Sequence, residues 1–133
     1  MTRLPTARST VEQFVIDLFG TDFAVDEDGD FTVRWDRALL FVGIVDRDAG
    51  AFIRVRCPML HGIPATPALL AEIDRLDREI LDGRMYWDDA QVVVATELGA
   101  ATANSEALGR ACRTVAGVAD RFDARLREAV LGT

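Results

Sequence analysis

Apolar and polar positions follow two different periods along this chain, and each change of period marks an element. Val11, Phe14, Val15 and Leu18 recur at the spacing of one helix face. Ser9 and Glu12 are spaced as a capping box at its start, and Gly20 supplies the stop. From Phe23 the period drops to two. Phe23 and Val25 alternate, Asp26-Glu27-Asp28-Gly29-Asp30 turns, and Phe31, Val33 and Trp35 alternate again. A three-residue loop, Glu27-Asp28-Gly29, pairs Phe31 with Val25 and Val33 with Phe23. That keeps the apolar residues on one face, whereas a two-residue Asp28-Gly29 loop would set them against Asp26 and Ala24.

The stretch Ala38–Val45, ALLFVGIV, is apolar on both faces, and a turn at Asp46–Gly50 separates it from a second strand, Ala51–Cys57. Pairing Val45 with Ala51 places Leu39, Phe41, Val45, Ile53, Val55 and Cys57 on a uniformly apolar face, expected beneath the helices. The opposite face then carries Leu40, Val42, Ile44 and Phe52 beside Arg54 and Arg56. A sealed core does not tolerate unpaired guanidinium groups, so this mixed face is the candidate interaction surface.

Thr66 and Pro67 open a second helix with a stripe of Leu69, Ile73, Leu76 and Ile80, ended by Gly83. Arg84–Trp87 and Ala90–Leu98 form a further hairpin around Asp88-Asp89. A long helix from about Asn104 to Leu131 buries Leu108, Ala111, Cys112, Val115, Ala119, Phe122 and Leu126. Glu106–Arg110 and Asp123–Arg127 make i,i+4 pairs on its outside. The order is α-β-β-β-β-α-β-β-α. Hairpins without βαβ alternation predict an α+β fold, an antiparallel sheet with helices packed on one face. No repeat or linker interrupts it, so residues 1–133 read as one domain.

Composition narrows the function. A net charge of −7 argues against nucleic acid, which demands a basic face. No apolar run reaches the ~20 residues of a membrane helix. The opening MTRLPTARST has no apolar signal region, so a cytoplasmic protein with reduced Cys57 and Cys112 is expected. All fifteen basic residues are arginine, which reflects codon bias more simply than any site.

Side chains suited to catalysis are scarce. Counting Gly29 as the sixth residue of a calcium loop puts Ala24 first and Trp35 twelfth, so two ligands are missing and the acidic segment reads as a solvated turn. Cys57 and the sole histidine, His61, have no evident orienting partner, and His61 falls in an expected loop, Pro58–Pro64. Asp88-Asp89 sits at a hairpin tip, and Tyr86 and Trp87 read as strand aromatics that pack in the core. No catalytic residue, metal or cofactor is expected.

Several stretches resemble the YbjN and type III secretion chaperone-like family, in particular its actinobacterial branch of peptide-binding chaperone-like domains. They are the first helix followed by Asp26-Glu27-Asp28-Gly29-Asp30, Gly62-Ile63-Pro64 before the second helix, Leu81-Asp82-Gly83-Arg84 before an aromatic strand, and Val118-Ala119-Asp120-Arg121-Phe122-Asp123. The chain departs at Asp74 and Asp77, where relatives often carry Asn. The resemblance implies a domain that dimerises and holds a client peptide or protein without turning it over. With the residues, it makes Leu40, Val42, Ile44, Phe52, Arg54 and Arg56 the expected partner-binding set. The same face could instead form the homodimer, which would move the client to the first helix or a sheet edge. Two rivals stay open: a regulatory protein docking one folded partner, and a small-ligand binder with a pocket under the last helix.

Overall fold

The computed structural model describes residues 3–131, with side chains from Ala7 to Val130. Helix α1 (Arg3–Phe19) precedes strands β1 (Ala24–Val25), β2 (Phe31–Trp35), β3 (Ala38–Arg47) and β4 (Gly50–His61). Helix α2 (Pro67–Asp77), strands β5 (Arg84–Asp88) and β6 (Gln91–Gly99), a short 3₁₀ turn at Ala100–Thr102 and helix α3 (Ser105–Leu131) complete the order. The strands form one antiparallel six-stranded sheet, β1-β2-β3-β4-β6-β5. All three helices lie on one face of it, the α+β arrangement that the pattern predicts.

One apolar core fills the space between these layers. Val11 and Val15 of α1, Leu69, Ile73 and Leu76 of α2, and Leu108, Cys112, Val115, Phe122 and Leu126 of α3 meet Phe31, Val33, Ile53, Val55, Met85, Val92 and Val94 from the sheet. Ala111 sits at the margin of that stripe, half-buried. No polar side chain is buried among the described residues.

Local chemistry explains most boundaries. The Thr66 hydroxyl accepts from the Leu69 N–H at 3.2 Å, and Asn104 Oδ1 accepts from the Ala107 N–H at 2.8 Å, so each caps the helix that follows. The β5–β6 hairpin turns on Asp89 and Ala90, both at positive φ (49° and 62°), which gives it the twist that flanking strands require. In the β1–β2 turn Asp26 Oδ1 accepts from the N–H groups of Asp28 and Asp30, each at 2.9 Å, and Gly29 takes φ 86°. Val25 pairs with Phe31, the register of the three-residue loop.

Three boundaries depart by several residues from expectation. Helix α1 begins well before Ser9, so Ser9 and Glu12 lie inside it and are no capping box. Arg8, on an added turn, donates to the Gly29 carbonyl and stacks 4.6 Å from the Phe31 ring centroid, which ties α1 to the hairpin. Helix α2 stops at Asp77 with Arg78 as its C-cap, and Gly83 instead shapes the entry to β5. Strand β4 runs through to His61, because a bulge between Pro58 and Leu60 absorbs the proline that lacks an N–H.

Candidate functional site

The β3–β4 hairpin decides which side chains reach solvent. Its loop has two residues, Asp48 and Ala49, between the paired Arg47 and Gly50, with Gly50 at φ 129°. Val45 therefore pairs with Phe52, not Ala51, and Ile44 pairs with Ile53. This one-residue shift reverses the faces of β3 relative to β4. Leu40 and Val42 are 0% exposed and belong to the core, and Ile44 packs against it. Those three are thus removed from the expected partner-binding set. Phe52, Arg54 and Arg56 stay on the face away from the helices.

That face carries Leu39, Phe41, Gly43 and Val45 from β3 in place of the three core residues. Loop parity was the signal that would have found them. Across the sheet the register aligns Phe41, Arg56, Ala95 and Arg84 in one row, and Gly43, Arg54 and Glu97 in the next. Leu39 is 41% exposed, while Phe41, Val45 and Phe52 are half-buried only by their neighbours in the sheet. No helix covers them.

Two of the arginines on this side are already engaged. Arg56 Nη2 lies 3.2 Å from Asp30 Oδ2, and its guanidinium stacks 4.6 Å from the Phe41 centroid. Asp30 reaches this position because Gly43 has no side chain; an added Cβ would run into the carboxylate. Arg47 grips Glu97 through both carboxylate oxygens. The Arg47 hydrogen bond holds the Glu97 carboxyl below its ordinary range, and the same contact raises Arg47. Arg54 and Arg84 make no hydrogen bond or ion pair among the described residues. Arg54 acts on Glu97 through its field alone.

An open groove of about 740 Å³ runs along this side, where Arg47, Arg54, Arg84, Tyr86 and Ala95 converge with the Leu81–Gly83 segment. Gly83, at φ 136°, presses so close that an added Cβ would lie 2.8 Å from the Ala95 carbonyl oxygen. Leu81 stands at the rim, 96% exposed.

The other candidates separate. Cys57 and Cys112 are buried free thiols in the core, and burial pushes both up, Cys112 to about 12, so neither is a ready nucleophile. His61 is exposed at the end of β4, 3.2 Å from the Gln91 amide nitrogen. Trp87 packs against the core and donates to the Ile63 carbonyl at 2.7 Å, whereas Tyr86 faces the groove, contrary to the core placement expected of it. Under α3, Leu108, Cys112, Val115, Phe122 and Leu126 fill the space against the sheet. Among the described residues no group of three or more His, Cys, Asp or Glu is placed to hold a metal ion. No described helix is long and apolar enough to cross a membrane.

Comparison with curated proteins found no match. Among solved structures, the type III secretion chaperone SycH of Yersinia pestis, in complex with a stable fragment of YscM2, is similar at TM-score 0.61 and 16% identity. The match covers 86% of this chain and 98% of that one. ExsC in the ExsC–ExsE complex gives TM-score 0.65 and 14% identity, covering 95% and 97%. YbjN from E. coli gives TM-score 0.61 and 14% identity, covering 89% and 92%. Identities this low establish the shared fold. The profile of the family described as T3SS (YopN, CesT) and YbjN peptide-binding chaperone 1 matches residues 5–133. The one-sided sheet, its six-strand order and that match agree: this chain belongs to the TY-Chap1 family of peptide-binding chaperones.

Proposed function

We propose that this domain is a non-enzymatic chaperone that holds an extended segment of a client polypeptide on its helix-free sheet face and works as a homodimer. The observation that carries the reading is that face. Leu39, Val45 and Phe52 lie free of any helix beside Arg54, with Phe41 under the Arg56 guanidinium, on a sheet whose other side is packed by the helices. Apolar side chains supply contact that tolerates sequence variation, and arginine heads supply direction toward carbonyl or carboxylate groups. The sheet also ends in a short edge: β1 covers only Phe31 and Thr32 of β2, so Val33–Trp35 have an unpaired flank where strand addition is open. The family's description as peptide-binding, and the bound YscM2 fragment on SycH, support a polypeptide as the partner. Leu70, 44% exposed on the outward side of α2, offers apolar area for pairing of two copies away from the client face.

The experiment is purification from the native host with wild type, Phe52→Asp and Arg54→Glu, reading co-purifying polypeptides by mass spectrometry and oligomeric state by ultracentrifugation. Loss of partners at unchanged mass supports a client face. Unchanged partners on folded variants exclude this face, and a change in mass alone reassigns it to the dimer. Leu70→Asp is expected to give monomer with partners retained.

A further inference from the structure

Strand β6 runs past its neighbour. The β5–β6 ladder stops at Arg84 paired with Ala95, yet β6 continues to Gly99. Which edge groups lie free follows from one hydrogen bond: the Met85 N–H donates to Asp77 Oδ1 at 2.8 Å, so it points away from β6. Arg84 and Tyr86 must then direct their N–H and C=O toward β6, and Val93 and Ala95 direct theirs toward β5. By the same alternation Glu97 presents its N–H and C=O on the β5 side and Gly99 its N–H, the Gly99 carbonyl being turned into the 3₁₀ turn that follows, and no strand pairs with them there. The Asp77 carboxylate occupies the outer edge of β5 at the Met85 N–H, and the β6 overhang is a further open stretch of edge at this end of the sheet.

This overhang borders the 740 Å³ groove, and Arg54 and Arg84, whose guanidinium groups form no ion pair among the described residues, both line it. Glu97, which would repel an anion there, is neutralised by Arg47. Asp82 and Asp88 stand at the rim, and neither forms an ion pair with Arg84 or Arg54. Ala95 contributes only a methyl between Arg56 and Arg84 in the cross-strand row, which leaves room for side chains above it.

From these features we infer that the β6 overhang is a strand-addition site selective for acidic segments. A short extended peptide pairs with Glu97 and Gly99 in line with β5, and an Asp or Glu side chain of it meets Arg54 and Arg84. The inference rests on the client-binding reading above and names both a place and a chemical class for it. Main-chain pairing supplies affinity independent of sequence; charge-assisted, bidentate contacts from arginine supply the choice of carboxylate over amide.

The test uses a nine-residue peptide, acetylated and amidated, with Glu at every second position, against its Gln isostere and a Lys counterpart. Affinities are read by fluorescence anisotropy at ~150 mM salt, where the field of the acidic chain is screened beyond about 8 Å. Sites are read from ¹⁵N–¹H spectra of the full chain. The Glu peptide is expected to bind at least tenfold tighter than the Gln isostere and to shift the Glu97 and Gly99 amides. Arg54→Gln with Arg84→Gln removes the difference, and Arg54→Glu with Arg84→Glu turns the preference to the Lys peptide. Equal affinities for Glu and Gln overturn the inference. So do shifts confined to Val33–Trp35, an outcome that leaves the client-binding reading standing. If no peptide binds anywhere and no polypeptide co-purifies, both readings fall.

Discussion

Leu39 and Leu40 are chemically identical neighbours that the β3–β4 register sends to opposite faces, so truncating each in turn measures that register. Leu40 is 0% exposed within the core, whereas Leu39 is 41% exposed on the helix-free face. Replacing Leu40 by Ala removes three buried carbons, about 2.4 kcal/mol at ~0.8 kcal/mol each. The cavity left between the sheet and the helices raises the cost to about 3–4 kcal/mol. At Leu39 part of the side chain already meets water and no closed cavity forms, so about 1 kcal/mol is expected. For a chain of 133 residues the Leu40→Ala loss lowers the melting temperature by roughly 10 °C, and Leu39→Ala by about a third of that. Urea unfolding followed by circular dichroism, at one protein concentration so that any association contributes equally, gives both values with the m-value as control. Equal losses at the two positions, or a Leu40→Ala cost below about 1 kcal/mol, would refute the register and return Leu40, Val42 and Ile44 to the surface.

Thr66→Ala deletes the hydroxyl that accepts from the Leu69 N–H and is expected to cost about 1 kcal/mol by the same unfolding assay, with Thr66→Ser retaining most of it. Gly83→Ala places a Cβ 2.8 Å from the Ala95 carbonyl at φ 136°, so a loss above about 1 kcal/mol is expected, the reverse of the usual gain from Gly→Ala; a stabilised variant contradicts the groove geometry. The Glu97 carboxyl is lowered by Arg47, so its contribution is present above the unfolded value of about 4.3 and disappears as pH falls through the folded value. Glu97→Gln is therefore expected to flatten the stability profile below about pH 4.3, and an unchanged acid limb would show the pair to be inert.

Much of the fold was legible because single-faced patterns leave little choice. In β1 and β2 the apolar residues alternate with polar ones, so only one loop length keeps Val25 and Phe31 together, and that pairing is observed. The α3 stripe from Leu108 to Leu126 was equally plain, and its Glu106–Arg110 and Asp123–Arg127 pairs close at 3.0 and 2.9 Å. The candidate site was legible by half. In β4 the charges of Arg54 and Arg56 mark the outer face, and they lie there. The ALLFVGIV strand has no charge to mark a face, so its orientation depended wholly on whether the following loop had an odd or even count. The two-residue Asp48-Ala49 loop reverses the assumed parity and exchanges Leu40, Val42 and Ile44 for Leu39, Phe41 and Val45. The start of α1 was hidden for a different reason. Ser9 and Glu12 satisfy the capping pattern inside a helix that continues upstream, where Arg8 gains its contact with the distant Gly29 carbonyl.

Site-specific photo-cross-linking tests the client face most directly. A benzophenone side chain replaces Phe52 in the full chain, with a control at exposed Glu128 on α3, and products are sequenced by mass spectrometry after irradiation in the native host. Cross-links from position 52 to one extended segment of a different polypeptide, absent from position 128 and lost with Arg54→Glu, are the predicted result. Cross-links from position 52 solely to a second copy of this chain, or an identical pattern from both positions, would contradict a client held on the helix-free face.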